Sequence, residues 1–325
     1  PTISAGRASV AAIKARSHTD GLMKAQAHAT ELIVVMRVFL DEPAGGAGYW
    51  SGAMYDPDLN GSFQINKGFI QARQLLLDIN ALGLPVGCLY VDTISPQFIA
   101  DLVSWSCISS YSAQSHLHRE LASGLSTPVG FAAVGAGALA AELAVDACKV
   151  AGAPHAFLSV SKQGVAGIVE TTGNKDCHVV LPAESLHSLN EECSALTTLE
   201  LPSRVMVKCA ASPGKQYSQS AQLQSVNDVA SLIRTGNQAK VLGVLLPSFL
   251  LTGRQDLQKA TPAANGNGHS GGSPLGKGNK VGGLYGMSVT EPCLDWSSTA
   301  QALESLAAAV REARVNGEAK KQRVA

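Results

Sequence analysis

No apolar run in this chain reaches the roughly 18 residues that a membrane-spanning helix needs, so no bilayer span is expected. An excess of charge of one sign is missing too: Lys+Arg and Asp+Glu both number 25, for a formal net charge of +0. That balance excludes the basic field that nonspecific nucleic-acid binding uses, and it excludes an acidic tail. The 7 cysteines contain no CxxC pair and are odd in number. Such usage fits reduced thiols in a cytoplasmic protein better than a disulfide framework. The opening residues, PTISAGRASVAAIKARSHTD, have no apolar core of the signal-peptide kind. There is no HExxH helix and no P-loop, and the histidines are dispersed. His116 and His118 are an i, i+2 pair whose side chains diverge on a helix. No metal and no cofactor are therefore expected.

What is present is apolar and regularly punctuated. Hydrophobic residues make up 46% of the 325 and charged residues 15%, enough for a full globular core. Strand-like runs alternate with helical ones. The strand runs are ELIVVMRVFL (31–40), VGCLYVD (86–92), ISSYSAQ (108–114), TPVGFAA (127–133), DCHVVLP (176–182), SRVMVKCAA (203–211) and AKVLGVLLPSF (239–249). Helical period marks 68–83, 95–105, 115–124, 137–152, 184–196, 222–236 and 298–314. Buried strands each followed by a helix imply a parallel sheet, and the number of units points to an α/β fold, a (β/α)8 TIM barrel. The reading is one domain over 1–325, with a hairpin at 156–170 inserted. Residues 1–30 read as a helical extension, and 259–286, rich in glycine and asparagine, as a flexible loop. Residues 315–325 read as a disordered tail. The barrel's first strand has no counterpart in these residues: either it lies outside the sequence given, or the barrel is closed in some other way.

Several long segments carry a resemblance: DPDLNGSFQINKGFIQARQLLLDINALGLPVG (56–87), SPQFIADLVSW, HRELASGLSTPVGF, AGAPHAFLSV, GNKDCHVVL and YGMSVTEPCLDW. Together they resemble the class I 3-deoxy-arabino-heptulosonate 7-phosphate (DAHP) synthases over roughly residues 31–314. The resemblance implies a (β/α)8 barrel, a homodimer or dimer of dimers, and the condensation of phosphoenolpyruvate with erythrose 4-phosphate. It also implies a divalent metal that polarises the aldehyde, and Arg and Lys side chains that hold phosphate and carboxylate.

At the positions that the resemblance assigns to those roles, this chain departs from the pattern. Glu42 stands for a catalytic lysine and Ala44 for a phosphate-binding arginine. Tyr111, Ala132 and Pro182 replace substrate-binding cations. Among metal ligands, Ala211 stands for a histidine and Pro247 for a glutamate; only Glu291 keeps a ligand-type side chain. Arg37 and Asp92 survive. These departures lead to an expectation of a repurposed enzyme, independent of metal and phosphoenolpyruvate, acting on a non-phosphorylated substrate by cyclase, isomerase or lyase chemistry. Specialised metabolism is a setting that suits such divergence. One alternative is an inert pseudoenzyme that partners an active DAHP synthase; a second is a genuine DAHP synthase with an atypical site.

The candidate catalytic groups are Tyr111, Cys209, His116, Glu42 and Asp92. His116 replaces a family glutamine, and its imidazole is an acid/base group. Cys209 is given inward parity with Val205 and Val207, and Lys208 the opposite face. The small-molecule pocket is expected at Arg37, Tyr49, Trp50, Ala132, Ala211 and Pro247.

Overall fold

The structure, a computed structural model, describes residues 30–41, 50, 52–59, 61–133, 138–160, 163–200, 202–210, 217–236, 240–255 and 284–324. Its centre is a 7-stranded parallel sheet. The strands are β1 (Met36–Arg37), β2 (Val86–Tyr90), β3 (Trp105–Ile108), β4 (Val129–Ala132), β7 (His178–Pro182), β8 (Val205–Lys208) and β9 (Val241–Leu245), in that spatial order. The antiparallel pair β5 (His155–Val160) and β6 (Ala166–Thr171) is the hairpin read from sequence. Helices follow the strands: α1 (Ile65–Asn80), α2 (Pro96–Ile99), α3 (His116–Gly124), α4 (Ala138–Ala151), α5 (Leu189–Thr198), α6 (Gln219–Arg234) and α7 (Trp296–Val324). The third strand lies earlier than expected. A 3-10 turn, Ala100–Leu102, ends the helix after α2, and WSCI extends in place of ISSYSAQ. In addition, α7 runs through most of the stretch read as a disordered tail.

The sheet curls around an interior formed by Phe39, Leu89, Trp105, Cys107, Val180 and Leu245, with Ala132 and Met206 against them. Trp105 Nε1 donates to His178 Nε2 at 3.1 Å, and His178 Nδ1 meets the Asp176 carbonyl at 3.1 Å. Burial holds the His178 pKa down to about 4, which suits the neutral ring that accepts from the indole. On the outer side, β1 and β2 pack on α1, and β3, β4 and β7 pack on α3 to α5. Outer residues of β8 pack on α6 and α7. At its far end α7 returns to the start of the described chain: Arg314 donates to the Thr30 carbonyl at 2.6 Å, and Arg311 approaches Glu31 at 3.7 Å.

Helix α1 reaches its seat because Gly68 has no side chain. A Cβ there would lie 1.9 Å from the Met54 carbonyl oxygen, which is backbone and cannot rotate away. Gly68→Ala is expected to push α1 off the sheet and lower the urea midpoint by about 1–3 kcal/mol of stability. Equilibrium unfolding followed by circular dichroism checks this; an unchanged midpoint would show that α1 is not seated by this contact.

Candidate functional site

Parallel α/β barrels place their chemistry at the carboxyl ends of the strands. Here three charged side chains meet there from distant parts of the chain. Arg37 ends β1 and lies over the Phe39 ring at 3.9 Å. Its guanidinium pairs directly with the Glu291 carboxylate. Lys208, the last residue of β8, places Nζ 3.2 Å from the other Glu291 oxygen. Burial pushes the Glu291 carboxyl up, but Arg37 and Lys208 more than reverse this and hold it below the ordinary value.

This arrangement corrects the parity read from sequence. Met206 belongs to the sheet interior, whereas Val207 and Cys209 pack with α6 and α7. Period two therefore aims Lys208 inward and Cys209 outward. Cys209 is fully buried, and burial raises its thiol pKa to about 12. It is a packing residue, and a thiolate nucleophile is not formed there. The Cys209 carbonyl and the Pro247 carbonyl both accept from Gln222 Nε2, at 3.0 and 3.1 Å. One α6 amide thus clamps the ends of β8 and β9.

The other candidates do not converge on this triad. Tyr111 is 87% exposed. His116 lies on α3 and pairs with Glu120 there, away from Arg37. Asp92 is a turn residue: Oδ1 accepts from the Ile94 and Ser95 amides at 2.6 and 2.7 Å, and Oδ2 from Tyr55 at 2.9 Å. Trp50 donates to the Asp56 carbonyl at 2.8 Å and packs locally against the α1 side. Ala132 packs in the sheet interior. Pro182 pairs in register with Lys208, and Pro247 accepts from the Leu294 amide at 3.0 Å. Glu42, Tyr49 and Ala211, with Ala44 and most of 259–286, lie outside the described residues.

Asp41, one of the acidic residues near the strand ends, is the most perturbed carboxyl there. It is 1% exposed, and neither oxygen has a hydrogen-bond partner among the described residues. Burial, with the Asp92 charge added, raises its pKa to about 8; the nearby Ser95 hydroxyl offsets this in part. Asp41 is a protonated acid at neutral pH.

The donor set at the strand ends does not fit the divalent metal implied by the family resemblance. Pro247 and Ala211 offer no side-chain donor atom. Glu291 does, but its two oxygens face two cations. A dication there meets Arg37 and Lys208 before it meets a second ligand.

With this geometry in hand, comparison with known proteins is informative. A family model described as "DAHP synthetase I family" matches residues 2–269. The chain is 40% identical over 290 residues to "Phospho-2-dehydro-3-deoxyheptonate aldolase, Phe-sensitive" of Escherichia coli strain K12, covering 87% of this chain and 75% of that protein. It is 37% identical over 295 residues to the tyrosine-inhibited aldolase of the same name from Schizosaccharomyces pombe, covering 88% and 73%. A solved Phospho-2-dehydro-3-deoxyheptonate aldolase from Francisella tularensis SCHU S4 superposes with a TM-score of 0.79 at 32% identity, over 93% of this chain and 82% of that one. These matches overturn the expectation of a metal- and phosphoenolpyruvate-independent enzyme of another reaction class. They overturn the pseudoenzyme alternative with it. Relatives this similar, over this much of the chain, are all named for one reaction.

The Asp41 environment sets a pH dependence with a definite sign. The unfolded chain ionises this carboxyl near 3.8, whereas the folded chain holds the proton to about 8. Its favourable contribution is complete below the unfolded pKa and is lost as pH rises through the folded one. Asp41→Asn, which keeps the neutral shape, is expected to flatten the decline in stability between about pH 5 and about pH 8. Urea midpoints across that range read the effect; parallel slopes for both proteins would remove Asp41 as its source.

Proposed function

The chain belongs to the DAHP synthetase I family, and from that premise we propose that it is a phospho-2-dehydro-3-deoxyheptonate aldolase. In this reading it joins phosphoenolpyruvate to erythrose 4-phosphate, the shikimate-pathway reaction of the family. The observation that carries it is the 40% identity to a relative of that name across 87% of this chain. The strand-end charges suit the substrates. Arg37 and Lys208 are cations at the mouth of an apolar interior, and both substrates are anions. Arg37 offers a planar fork for a carboxylate or phosphate, and Lys208 a point charge. Glu291 holds the two cations in place until an anion takes over their contacts. What this chain's own residues contribute is binding and orientation; no step is assigned to a metal.

The same proposal includes a homo-oligomer. Leu158, Val160 and Ile168 share one face of the hairpin, since Leu158 pairs with Ile168, and they are 70%, 45% and 68% exposed. Contiguous exposed apolar surface of this kind marks a contact surface. Its compartment is read as the cytoplasm, in keeping with 7 buried cysteines that form no disulfide. Among the described residues no helix is long and apolar enough to cross a membrane.

Purified protein given both substrates, with and without manganese, is expected to form the seven-carbon phosphorylated product, read by mass spectrometry. Arg37→Ala is expected to lower kcat/KM by about 10- to 150-fold, the range for losing one charge-assisted hydrogen bond. Absence of product from protein shown to be folded would sink the reading. Light scattering is expected to give a multiple of the 33.6 kDa chain, reduced to one chain by Leu158→Asp with Ile168→Asp. A monomeric parent protein would remove the oligomer.

A further inference from the structure

Outside the strand-end cluster, α3 and the base of the hairpin bring three ligand-type side chains together. His116, Glu120 and His155 each present one ligand atom, and these atoms lie within 4.8 Å of one another. We propose that they form a binding site for a divalent transition-metal ion, with zinc as its probe, that clips α3 to the hairpin.

The local structure explains why these three meet. His116 and Glu120 are i, i+4 on α3 and share one face, with Nε2 to Oε1 at 3.1 Å. His155 opens β5, and its ring stands edge-on to His116 at 6.0 Å between centroids. Two imidazoles and one carboxylate are a donor set for zinc and its first-row neighbours, and they leave a coordination position open. Atoms bound to one zinc ion at about 2.0–2.1 Å sit closer together than the present spread. The 70% exposed side chain of His116 is free to close that distance.

Two features set this apart from a helix-surface ion pair. The first is the support behind the ligands. His155 Nε2 lies 2.8 Å from the Val150 carbonyl, which only accepts, so Nε2 carries the proton and Nδ1 keeps its lone pair. The Thr171 hydroxyl accepts from the His155 amide at 3.1 Å and meets Ser123 Oγ at 2.7 Å. Ser123 in turn donates to the Glu120 carbonyl at 2.6 Å. This chain of hydrogen bonds fixes the helix ligand relative to the hairpin ligand. Gly124 permits the approach, since a Cβ there would lie 2.8 Å from Thr171 Cγ2. The second feature is burial. Glu120 is 8% exposed, and a carboxylate so placed needs a positive partner. A divalent ion held between the two rings would supply one.

His116 is the residue read from sequence as replacing glutamine, so His116→Gln removes the donor while keeping a polar side chain of similar size. Isothermal titration of the full chain with zinc alone is expected to show one high-affinity equivalent. His116→Gln and His155→Gln are each expected to weaken it at least about tenfold, and to abolish the zinc-induced rise in Tm. Cobalt in place of zinc is expected to give visible bands without a thiolate charge-transfer band. Zinc binding that survives in His116→Gln, a thiolate band, or no binding by a folded parent protein would each overturn the proposal. Circular dichroism of both variants separates lost ligation from lost folding.

Discussion

One carboxylate holds two cations at the open end of this sheet. Arg37 and Lys208 come from strands that lie at and near opposite ends of the sheet order, and Glu291 lies between them. Among the described residues, β1 and β9 each have one sheet neighbour only. The ion triad spans the curl in place of a hydrogen-bonded strand. Two cations brought this close in a mostly apolar mouth repel strongly unless a buried anion separates them. Breaking such a group by removing one member typically costs about 3–5 kcal/mol, because the remaining charges stay desolvated. The positions of β1, of the Phe39 ring beneath Arg37 and of the segment carrying Glu291 follow from this contact.

The interior below the triad is mostly apolar. Trp105 and His178 join across β3 and β7, and the apolar side chains of the other strands surround them. Polar groups near the rim are of two kinds. Asp92 accepts from two amides and a tyrosine hydroxyl, a structural role. Asp41, close by, is buried without hydrogen-bond partners among the described residues and keeps its proton instead. Of these two neighbouring carboxyls, the one without donors is pushed toward its neutral form.

The repeating strand–helix pattern was legible because each buried run is short, branched and bounded by turn residues. The family was legible in long segments such as 56–87. Strand parity at β8 was not. In a parallel barrel both faces of a strand are apolar, so VMVK does not announce which face carries the lysine; packing of Val207 on α6 and α7 decides it. The triad was hidden for another reason. Arg37, Lys208 and Glu291 are far apart in sequence, and no local spacing links them. Reaction class was misread because lost side chains were weighed above the identity retained along the whole chain. The hairpin partner of His116 was equally invisible, since His155 joins it only through the fold.

The last helix also supports the first described residues. Arg314 on α7 bonds the Thr30 carbonyl, 284 positions away, and Arg311 approaches Glu31. Strand β1 is only 2 residues long; besides its pairing with β2, it is held by Glu291, which also comes from late in the chain. During synthesis, then, β1 gains its sheet neighbour β2 early but its ionic anchors only late. At synthesis rates of about 5–20 residues per second, the sheet's first described strand stays without its ionic anchors until residues 291 to 314 have emerged. Closure of the curl is a late event in the life of each molecule, and a chain cut short before Glu291 lacks the carboxylate that joins Arg37 to Lys208.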